Sequence, residues 1–238
     1  MLELPHLTVR THPFPYAVQH GFLPAALYRE LSRSFPTCPP VGGPTGFSSF
    51  RGDAHFEALL RQSAPWREFV SALQSQSFIE YCMAQFSSTC LAQGCLIDLT
   101  GASYRDHLES RIEKAQRNIE AAGLAPEHLW VRADILQGRL YYERAPHLDH
   151  RRRLLSMLIY FCDRDEMDME GGELVLHGPP ECGRFTAHQG FAPRHNLMVA
   201  FPCSGRSFHS VTRITRQRSP RNFLQITVSS CADLWPSE

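Results

Sequence analysis

The spacing of apolar residues changes near Pro126 and divides the chain into two parts. Before that point, apolar residues mostly recur at steps of three and four, which is the period of an amphipathic helix. This pattern predicts helices over residues 23–35, 55–62, 65–93 and 103–123. Residues 6–18 alternate and contain prolines, which favours an edge strand or an extended arm. Residues 36–53 are rich in proline, glycine and serine, which predicts a loop that either connects elements or borders a substrate opening.

The stretch from Ser103 to Gly123 has the clearest helical pattern. Ser103 and Asp106 are spaced as a capping box, and Gly123 is placed to end the helix. The apolar residues between them follow at steps of four and three: Leu108, Ile112, Ala115, Ile119 and Ala122. The opposite face is charged and predicts a solvated surface made by Glu109, Arg111, Glu113, Arg117 and Glu120.

After Pro126 the pattern becomes that of short strands separated by turn residues such as Gly171-Gly172. The predicted strands are 130–143, 154–162, 173–177, 196–201, 206–214 and 222–229. Several short strands at this spacing predict a sandwich or a barrel. We therefore expect an α+β chain that folds as a single domain over residues 1–238. Residues 1–128 would be mainly helical support and a lid, and residues 129–231 would be a β-barrel core.

The amino-acid composition limits the binding partners and the cellular compartment that we expect. The 24 Lys and Arg residues balance the 24 Asp and Glu residues, so bulk charge recruits neither nucleic acid nor an anionic membrane. The eight cysteines form no Cys-x-x-Cys pair, which favours a reduced, cytoplasmic protein. The N-terminus has no signal-peptide pattern, and no apolar run approaches the roughly 20 residues of a membrane span. We expect a monomer or a homodimer with a small-molecule substrate.

His147 and Asp149 are separated by one residue and form the first candidate for chemistry. Alternate side chains of an extended strand point the same way, so an imidazole and a carboxylate would leave one face together. A neutral histidine nitrogen and an ionised aspartate oxygen suit a divalent metal. With a histidine from a distant strand, they make the 2-His-1-carboxylate triad of non-haem Fe(II) oxygenases.

A third ligand is expected from a later strand, and His209 is the best placed of the 12 histidines. It follows the apolar strand that ends near Pro202, whereas the rival histidines lie near predicted loops: His177, His188 and His195. Arg221 opens the last strand and shares one face with Phe223, Gln225 and Thr227. An arginine that points into a barrel needs an anion, and a dicarboxylate held by two hydrogen bonds supplies it.

The segment from Leu136 to Val228 resembles the iron(II)/2-oxoglutarate-dependent dioxygenase superfamily, and in particular its prolyl-4-hydroxylase-like branch. His147-Leu148-Asp149 matches the H-x-D motif, and His209 matches the distal histidine. Arg221 falls where that branch places the basic residue for the C5 carboxylate of 2-oxoglutarate. Gly171-Gly172-Glu173-Leu174 matches the turn that enters the next strand.

This resemblance implies a double-stranded β-helix that is buttressed by the N-terminal helices. It also implies Fe(II) and 2-oxoglutarate as cofactors, with O2 as cosubstrate. By the same alignment, Tyr160 hydrogen-bonds the carboxylate that Arg221 holds. Tyr142 and Gln225 are further candidates for the 2-oxoglutarate site. Tyr141 remains an alternative to Tyr142, because the Tyr-x-x-Gly motif of the branch is not matched here.

The implied reaction is oxidation of an unactivated C–H bond. Hydroxylation is the default outcome, and desaturation or cyclisation would use the same oxidant. Related halogenases replace the carboxylate ligand with a small residue. This chain keeps a carboxylate at Asp149, so halogenation is disfavoured. The leading hypothesis is a tailoring enzyme of secondary metabolism that acts on an amino-acid-like or other small metabolite. The alternatives are a peptidyl or prolyl hydroxylase of a protein partner, and a cupin-like metal-binding protein that does not use 2-oxoglutarate.

The sequence does not assign one role to each arginine near the predicted site. The candidates for a substrate carboxylate are Arg144, Arg151, Arg194 and Arg206. Arg216 and Arg218 compete with Arg221 for the 2-oxoglutarate role. The run Arg151-Arg152-Arg153 predicts a solvated loop, with contact to an acidic substrate as the alternative.

Overall fold

The computed structural model describes residues 2–36, 46–110, 113, 116, 119 and 123–237. Its helices are α1 (Ala25–Arg33), α2 (Ala54–Gln62), α3 (Ala64–Leu73) and α4 (Gln76–Ala92), followed by a 3-10 turn (Leu99–Gly101). The first six strands are β1 (Val9–Arg10), β2 (Tyr16–His20), β3 (Gly46–Ser49), β4 (Ser103–Tyr104), β5 (His128–Gly138) and β6 (Arg144–His147). The other six are β7 (Arg153–Tyr160), β8 (Leu174–His177), β9 (Ala187–Phe191), β10 (Leu197–Pro202), β11 (His209–Val211) and β12 (Arg221–Ser229).

The strands form two sheets that face each other. The large sheet has the order β1-β2-β10-β7-β12-β5-β3 and is antiparallel, except that β4 pairs in parallel with the start of β5. The small sheet has the order β6-β11-β8-β9 and is antiparallel. Apolar side chains of both sheets, such as Phe223 from β12 and Leu176 from β8, share one buried cluster. This mixed α+β architecture agrees with the predicted double-stranded β-helix.

Strand β12 contributes alternate side chains to two different hydrophobic clusters, one on each face of the large sheet. Leu224, Ile226 and Val228 are buried on one face, in the cluster that also contains Trp66 of α3. Phe223 points to the other face, into the cluster between the sheets. Each face of the large sheet is therefore covered, by helices on the outside and by the small sheet on the inside.

The position of the helices bears on the predicted lid. The helices pack on the outer face of the large sheet, which is opposite to the space between the sheets. The described helices therefore support the sheet and do not cover that space. Strand β3, at the edge of the large sheet, is the described part of residues 1–128 that reaches the cavity between the sheets. Most of the predicted loop, residues 37–45, lies outside the described residues.

The helix predicted from Ser103 is wrong in its first part. Ser103 and Tyr104 form β4, and residues 105–110 have no regular secondary structure. Asp106 pairs with Arg51 instead of capping a helix. The predicted helix residues that lie outside the described part of the chain are Arg111, Ile112, Ala115, Arg117, Glu120 and Ala122. Tertiary contacts outweigh local helical periodicity here.

Other boundaries also differ from the predictions. The single helix predicted over 65–93 is two helices, because Ser75 caps a new one by accepting a hydrogen bond from the backbone N–H of Phe78 at 3.3 Å. The predicted strand over 130–143 ends at Gly138, and β6 begins at Arg144. Strand β3 lies inside the predicted loop 36–53, and β9 was not predicted. None of the described helices has both the length and the apolar character that a bilayer crossing requires.

Glu109 lies in a buried network of charges, so its predicted solvated position is wrong. Its carboxylate accepts hydrogen bonds from Arg132 Nη1 at 3.1 Å and from Arg152 Nη2 at 2.9 Å. Arg132 Nε also donates to Asp134 at 2.6 Å. All four side chains are buried. The network joins residues around 109 to β5 and to the start of β7, four residues after Asp149.

Replacing Glu109 with glutamine is expected to destabilise the protein by about 3 kcal/mol or more, because it leaves the buried guanidinium group of Arg152 without its counter-charge. Chemical denaturation in urea measures the change. The matched control is Arg216→Gln, which removes exposed pairs with Asp168 and Glu170 and should cost less than about 1 kcal/mol. Equal effects of the two substitutions would contradict the assignment of the network as a buried support.

Candidate metal centre

Two histidines and an aspartate meet at the edge of the small sheet. His147 ends β6 and His209 begins β11, and the two residues are paired in the antiparallel register. Their ring centroids are 4.3 Å apart. Asp149 lies just past the end of β6, so it reaches the same point from the connection to β7 and not from the strand face that we predicted. One ligand atom from each of the three residues lies within 4.8 Å of the others.

Backbone carbonyl groups orient both imidazole rings. His147 Nδ1 lies 2.9 Å from the carbonyl oxygen of Ala145, and His209 Nδ1 lies 2.9 Å from that of Ser207. A carbonyl oxygen can only accept a hydrogen bond, so Nδ1 carries the proton in each ring. Nε2 is then the nitrogen available to a metal, and a carbonyl contact of this kind typically fixes the orientation of a metal-binding histidine.

The protonation states also suit a metal. Burial by itself raises the pKa of the Asp149 carboxyl, but the charges of Arg153, His209 and His147 outweigh burial and lower that pKa to about 2. Burial lowers the pKa of His209 below its usual value. At neutral pH the group therefore presents a carboxylate and a neutral imidazole, which are the forms that bind cations.

A cavity of about 590 Å³ opens between the two sheets at this point. Its wall includes His147, Asp149 and His209 from the metal group and Arg221 from the large sheet. The volume lies in the range of small-molecule and cofactor sites. The cavity therefore brings the candidate metal ligands and the predicted anion-binding arginine to one space.

Arg221 is fully buried, and only some of its N–H groups have hydrogen-bond partners. Its Nε donates to the carbonyl oxygen of Gly172 at 2.8 Å, and its Nη2 donates to the hydroxyl of Tyr160 at 2.9 Å. The guanidinium carbon also lies 4.3 Å from the ring centroid of Phe223. Nη1 is buried and has no hydrogen-bond partner among the described residues. A buried guanidinium with an unpaired N–H group is a binding point for an anion such as a carboxylate.

The Gly171-Gly172 turn permits this arrangement. A Cβ atom at Gly171 would lie 1.9 Å from the carbonyl oxygen of Arg213, which is a clash with backbone. A Cβ atom at Gly172 would lie 2.9 Å from Met169 Sδ and 3.3 Å from Arg221 Cδ. Both glycines have φ near +80°, at +81° and +79°. The turn therefore lets a backbone carbonyl approach and hold Arg221.

The other residues predicted for 2-oxoglutarate either contact Arg221 or line the same cavity. Tyr160 is fully buried and contacts Arg221, but it does not line the cavity. Burial raises the pKa of Tyr160, so its hydroxyl stays neutral. Tyr142 and Gln225 both line the cavity, and Gln225 Nε2 donates to Ser156 Oγ at 3.0 Å.

The structure distinguishes the two adjacent tyrosines. The ring of Tyr142 lies against Gly138 and Gly46, where a Cβ atom would approach it to 3.0 Å and 2.7 Å respectively. Tyr141 is 53% exposed and lies under the guanidinium group of Arg213. Tyr142 therefore lines the cavity wall, and Tyr141 does not.

Of the four arginines predicted for a substrate carboxylate, Arg144 is in the cavity wall. Arg151 pairs with Asp233 at 2.8 Å. Arg194 pairs with Asp163 and Asp165, and Arg206 lines a different surface pocket. The structure thus does not bring these three to the cavity, because ion pairs or distance keep their side chains elsewhere.

Arg153 lines the cavity and was missed by the sequence interpretation, which placed it in a solvated run. Its Nη1 donates to Asp149 Oδ1 at 2.5 Å. Simple alternation along β7 would put Arg153 on the outer face with Leu155. A register irregularity opposite Val228 and Ser229 of β12 shifts that alternation. A charged residue four positions after Asp149 was the signal available in the sequence.

Comparison with known proteins bears directly on this site. Residues 136–226 match the family model described as the 2OG-Fe(II) oxygenase superfamily, and this range contains the three candidate metal ligands and Arg221. Residues 136–226 belong to the 2OG-Fe(II) oxygenase superfamily. The superfamily implies Fe(II), 2-oxoglutarate and O2, so the match supports a 2-oxoglutarate- and Fe(II)-dependent oxygenase. No curated protein matches the chain.

One solved structure supports the fold of this oxygenase, and two others are reported beside it. An oxidoreductase of the 2OG-Fe(II) oxygenase family from Burkholderia pseudomallei is 14% identical and has a TM-score of 0.52, with 93% of this chain and 88% of that chain covered. A Pseudomonas putida prolyl-4-hydroxylase is 15% identical, with a TM-score of 0.45 and coverages of 90% and 92%. A prolyl hydroxylase from Trichoplax adhaerens is 10% identical, with a TM-score of 0.47 and coverages of 90% and 83%. At these identities the similarity concerns the fold, and no conclusion rests on the last two structures.

The residues of this oxygenase fit the implied cofactors. Two imidazoles and one carboxylate are the donor set that Fe(II) takes in this class of enzyme. The unpaired Nη1 of Arg221 fits the far carboxylate of 2-oxoglutarate, since Arg221 lines the same cavity as the metal group. This fit speaks against the cupin-like alternative, in which 2-oxoglutarate has no role.

Proposed function

We propose that this oxygenase uses Fe(II), 2-oxoglutarate and O2 to oxidise an unactivated C–H bond of an amino-acid-like or other small metabolite, with hydroxylation as the default outcome. The observation that carries the proposal is the fully buried Arg221, whose Nη1 has no partner in the described chain, in the cavity that also holds the metal group. The cofactors supply an oxidant that can break a C–H bond, while 2-oxoglutarate is converted to succinate and CO2.

Different residues of the chain would bind the metal and the 2-oxoglutarate. His147, Asp149 and His209 would bind the metal, and Arg221 would hold the C5 carboxylate of 2-oxoglutarate. Tyr160 would act with Arg221, because its hydroxyl accepts a hydrogen bond from that guanidinium. Tyr142 and Gln225 line the same cavity and would enclose the cosubstrate.

Two neighbouring charges in the cavity wall favour an amino-acid-like substrate. Glu143 and Arg144 both line the cavity, and neither has an ion-pair partner among the described residues. A free α-amino acid carries an ammonium and a carboxylate a few ångströms apart. Opposite charges on adjacent residues can receive both groups, and Arg144 favours the carboxylate because its guanidinium can donate two parallel hydrogen bonds.

One observation favours the second candidate, a peptidyl or prolyl hydroxylase. Leu140 and Tyr141 are 40% and 53% exposed, and they directly precede the cavity residue Tyr142. Exposed apolar side chains beside a cavity are suited to docking a peptide. In that case Arg144 would contact the peptide and not a free carboxylate.

Succinate release in the presence of Fe(II) and 2-oxoglutarate distinguishes the two candidates. We expect free amino acids to accelerate succinate release, and Arg144→Gln to raise the KM for the active amino acid about tenfold, as the loss of a charged hydrogen bond predicts. Arg206→Gln is the matched control, because Arg206 lies outside the cavity. If only proline-containing peptides accelerate release, the peptidyl hydroxylase is correct and the amino-acid proposal is wrong.

A further inference from the structure

Three consecutive arginines have three different carboxylate partners. Arg151 pairs with Asp233 at 2.8 Å, Arg152 with Glu109 at 2.9 Å, and Arg153 with Asp149 at 2.5 Å. The first two pairs tie the C-terminal region and the residues around 109 to the start of β7. The third pair is different in kind, because its carboxylate belongs to the candidate metal centre.

Arg153 is held firmly in this position. Its backbone N–H donates to the carbonyl oxygen of His150 at 2.9 Å, which closes the turn after Asp149. Its own carbonyl oxygen accepts a hydrogen bond from Trp235 Nε1 at 2.7 Å. The side chains of Arg153 and Asp149 are 15% and 7% exposed. A pair that is this buried and this anchored has a defined geometry, unlike an exposed surface pair.

The two oxygens of Asp149 are not equivalent in this geometry. Oδ1 accepts the charged hydrogen bond from Arg153 Nη1 at 2.5 Å. Oδ2 is 3.7 Å from the thiol of Cys203, which is a weak donor, and the Ser156 side chain is a neutral hydrogen-bonding neighbour of the same carboxylate. One oxygen is therefore occupied by a strong donor, and the other remains available to a cation.

We infer that Arg153 is a positioning residue that makes Asp149 a one-oxygen ligand of the metal. The inference rests on the proposed metal triad. A carboxylate can bind a cation through one oxygen or through both. The positions that the triad leaves open must accept both chelating atoms of 2-oxoglutarate and also O2. A second carboxylate oxygen on the metal would take one of these positions.

Stabilisation of the metal alone does not explain this arginine. A guanidinium group next to a divalent cation repels it, so Arg153 weakens the electrostatic attraction of the site for the metal. The contact instead determines which carboxylate oxygen faces the two imidazoles. Arg153 thus lowers the affinity of the site for the metal and keeps one coordination position open.

The test is to count metal-bound water with Mn(II) in place of Fe(II). Water-proton relaxation by the protein–Mn(II) complex rises with the number of water molecules on the metal. We expect Arg153→Met to lower the relaxivity per bound Mn(II) by about a third, because a second Asp149 oxygen replaces one of the open positions of the facial triad. Arg151→Met is the matched control in the same run and should match wild type.

Arg153→Ala provides an independent variant and a rescue experiment. It leaves space for a small guanidinium compound, so adding ethylguanidinium should restore the relaxivity to the wild-type value. Rescue would not occur if Arg153 acted only as a general support of the fold. Wild-type relaxivity in Arg153→Met or Arg153→Ala, with Mn(II) still bound, overturns the inference.

The same measurements separate this inference from the proposed function. If wild-type protein binds Mn(II), and 2-oxoglutarate then displaces metal-bound water, the metal and cosubstrate assignments stand whatever the variants show. If wild-type protein binds no Mn(II), the proposed metal centre itself is wrong, and the role of Arg153 fails with it.

Discussion

Replacing Arg221 with leucine is expected to raise the 2-oxoglutarate concentration needed for half-saturation by about 30-fold or more. The loss of a buried, hydrogen-bonded charge costs a ligand about 2 kcal/mol or more, and 1.4 kcal/mol corresponds to a tenfold change in affinity. The substitution removes the free Nη1 and also the donors to Gly172 and Tyr160. Anaerobic titration, followed by the visible absorption band of the Fe(II)–2-oxoglutarate complex, measures the effect.

Two further variants make this result specific to Arg221. Arg221→Lys keeps the charge but cannot reproduce the planar, two-donor geometry, so its effect should be intermediate. Arg218→Leu removes an exposed arginine that lies 3.7 Å from Asp168, and it should leave the titration unchanged. An unchanged midpoint in Arg221→Leu, or a large shift in Arg218→Leu, would show that another residue holds the cosubstrate.

Replacing His209 with alanine is expected to weaken Fe(II) binding by at least about a hundredfold. Loss of a residue that only supports a metal ligand already costs ten- to a hundredfold, and a direct ligand contributes more. His209 is buried beside Asp149, and no other histidine besides His147 joins this group in the described chain. Anaerobic Fe(II) titration of the metal-free protein gives the affinity directly.

His188→Ala is the control for this experiment. His188 is exposed and contacts His12, with a nitrogen–nitrogen distance of 3.1 Å, and it lies outside the metal group. The variant should bind Fe(II) as wild type does. Wild-type affinity in His209→Ala would remove His209 from the ligand set and reopen the assignment to His177 or His195.

The two substitutions test opposite parts of one cavity. His209→Ala should lose the absorption band because the metal is lost. Arg221→Leu should retain the metal and lose the band only at low 2-oxoglutarate concentrations. A protein that binds Fe(II) and shows no band at any 2-oxoglutarate concentration would instead favour the cupin-like alternative, against the family assignment.

Much of the β-structure could be predicted from the sequence, because strand alternation is a local property. Along β12, the apolar residues Leu224, Ile226 and Val228 alternate with Phe223 and Gln225, and the structure places these two sets on opposite faces. The H-x-D pair, the distal histidine and the arginine after it could likewise be read in order. The structure brings these four side chains to one cavity, and their roles remain predictions for the experiments above.

The helix predicted from Ser103 failed for a non-local reason. The apolar spacing was that of a helix, but Glu109 is paired with two buried arginines from β5 and from the start of β7. Those partners lie 23 and 43 residues away along the chain. Helical periodicity in a short segment carries no information about such distant partners.

The sequence by itself determined which residues could form a metal centre and an anion site. Residue type decides which side chains can bind a metal or an anion, and strand alternation is a local property of the sequence. Only the tertiary structure decided which charged residues reach the cavity. Arg144 and Arg153 line it, whereas Arg151 and Arg194 are held by other carboxylates. The physical reason is that ion pairs form between distant segments, and that a register irregularity in β7, opposite Val228 and Ser229 of β12, turns Arg153 inward.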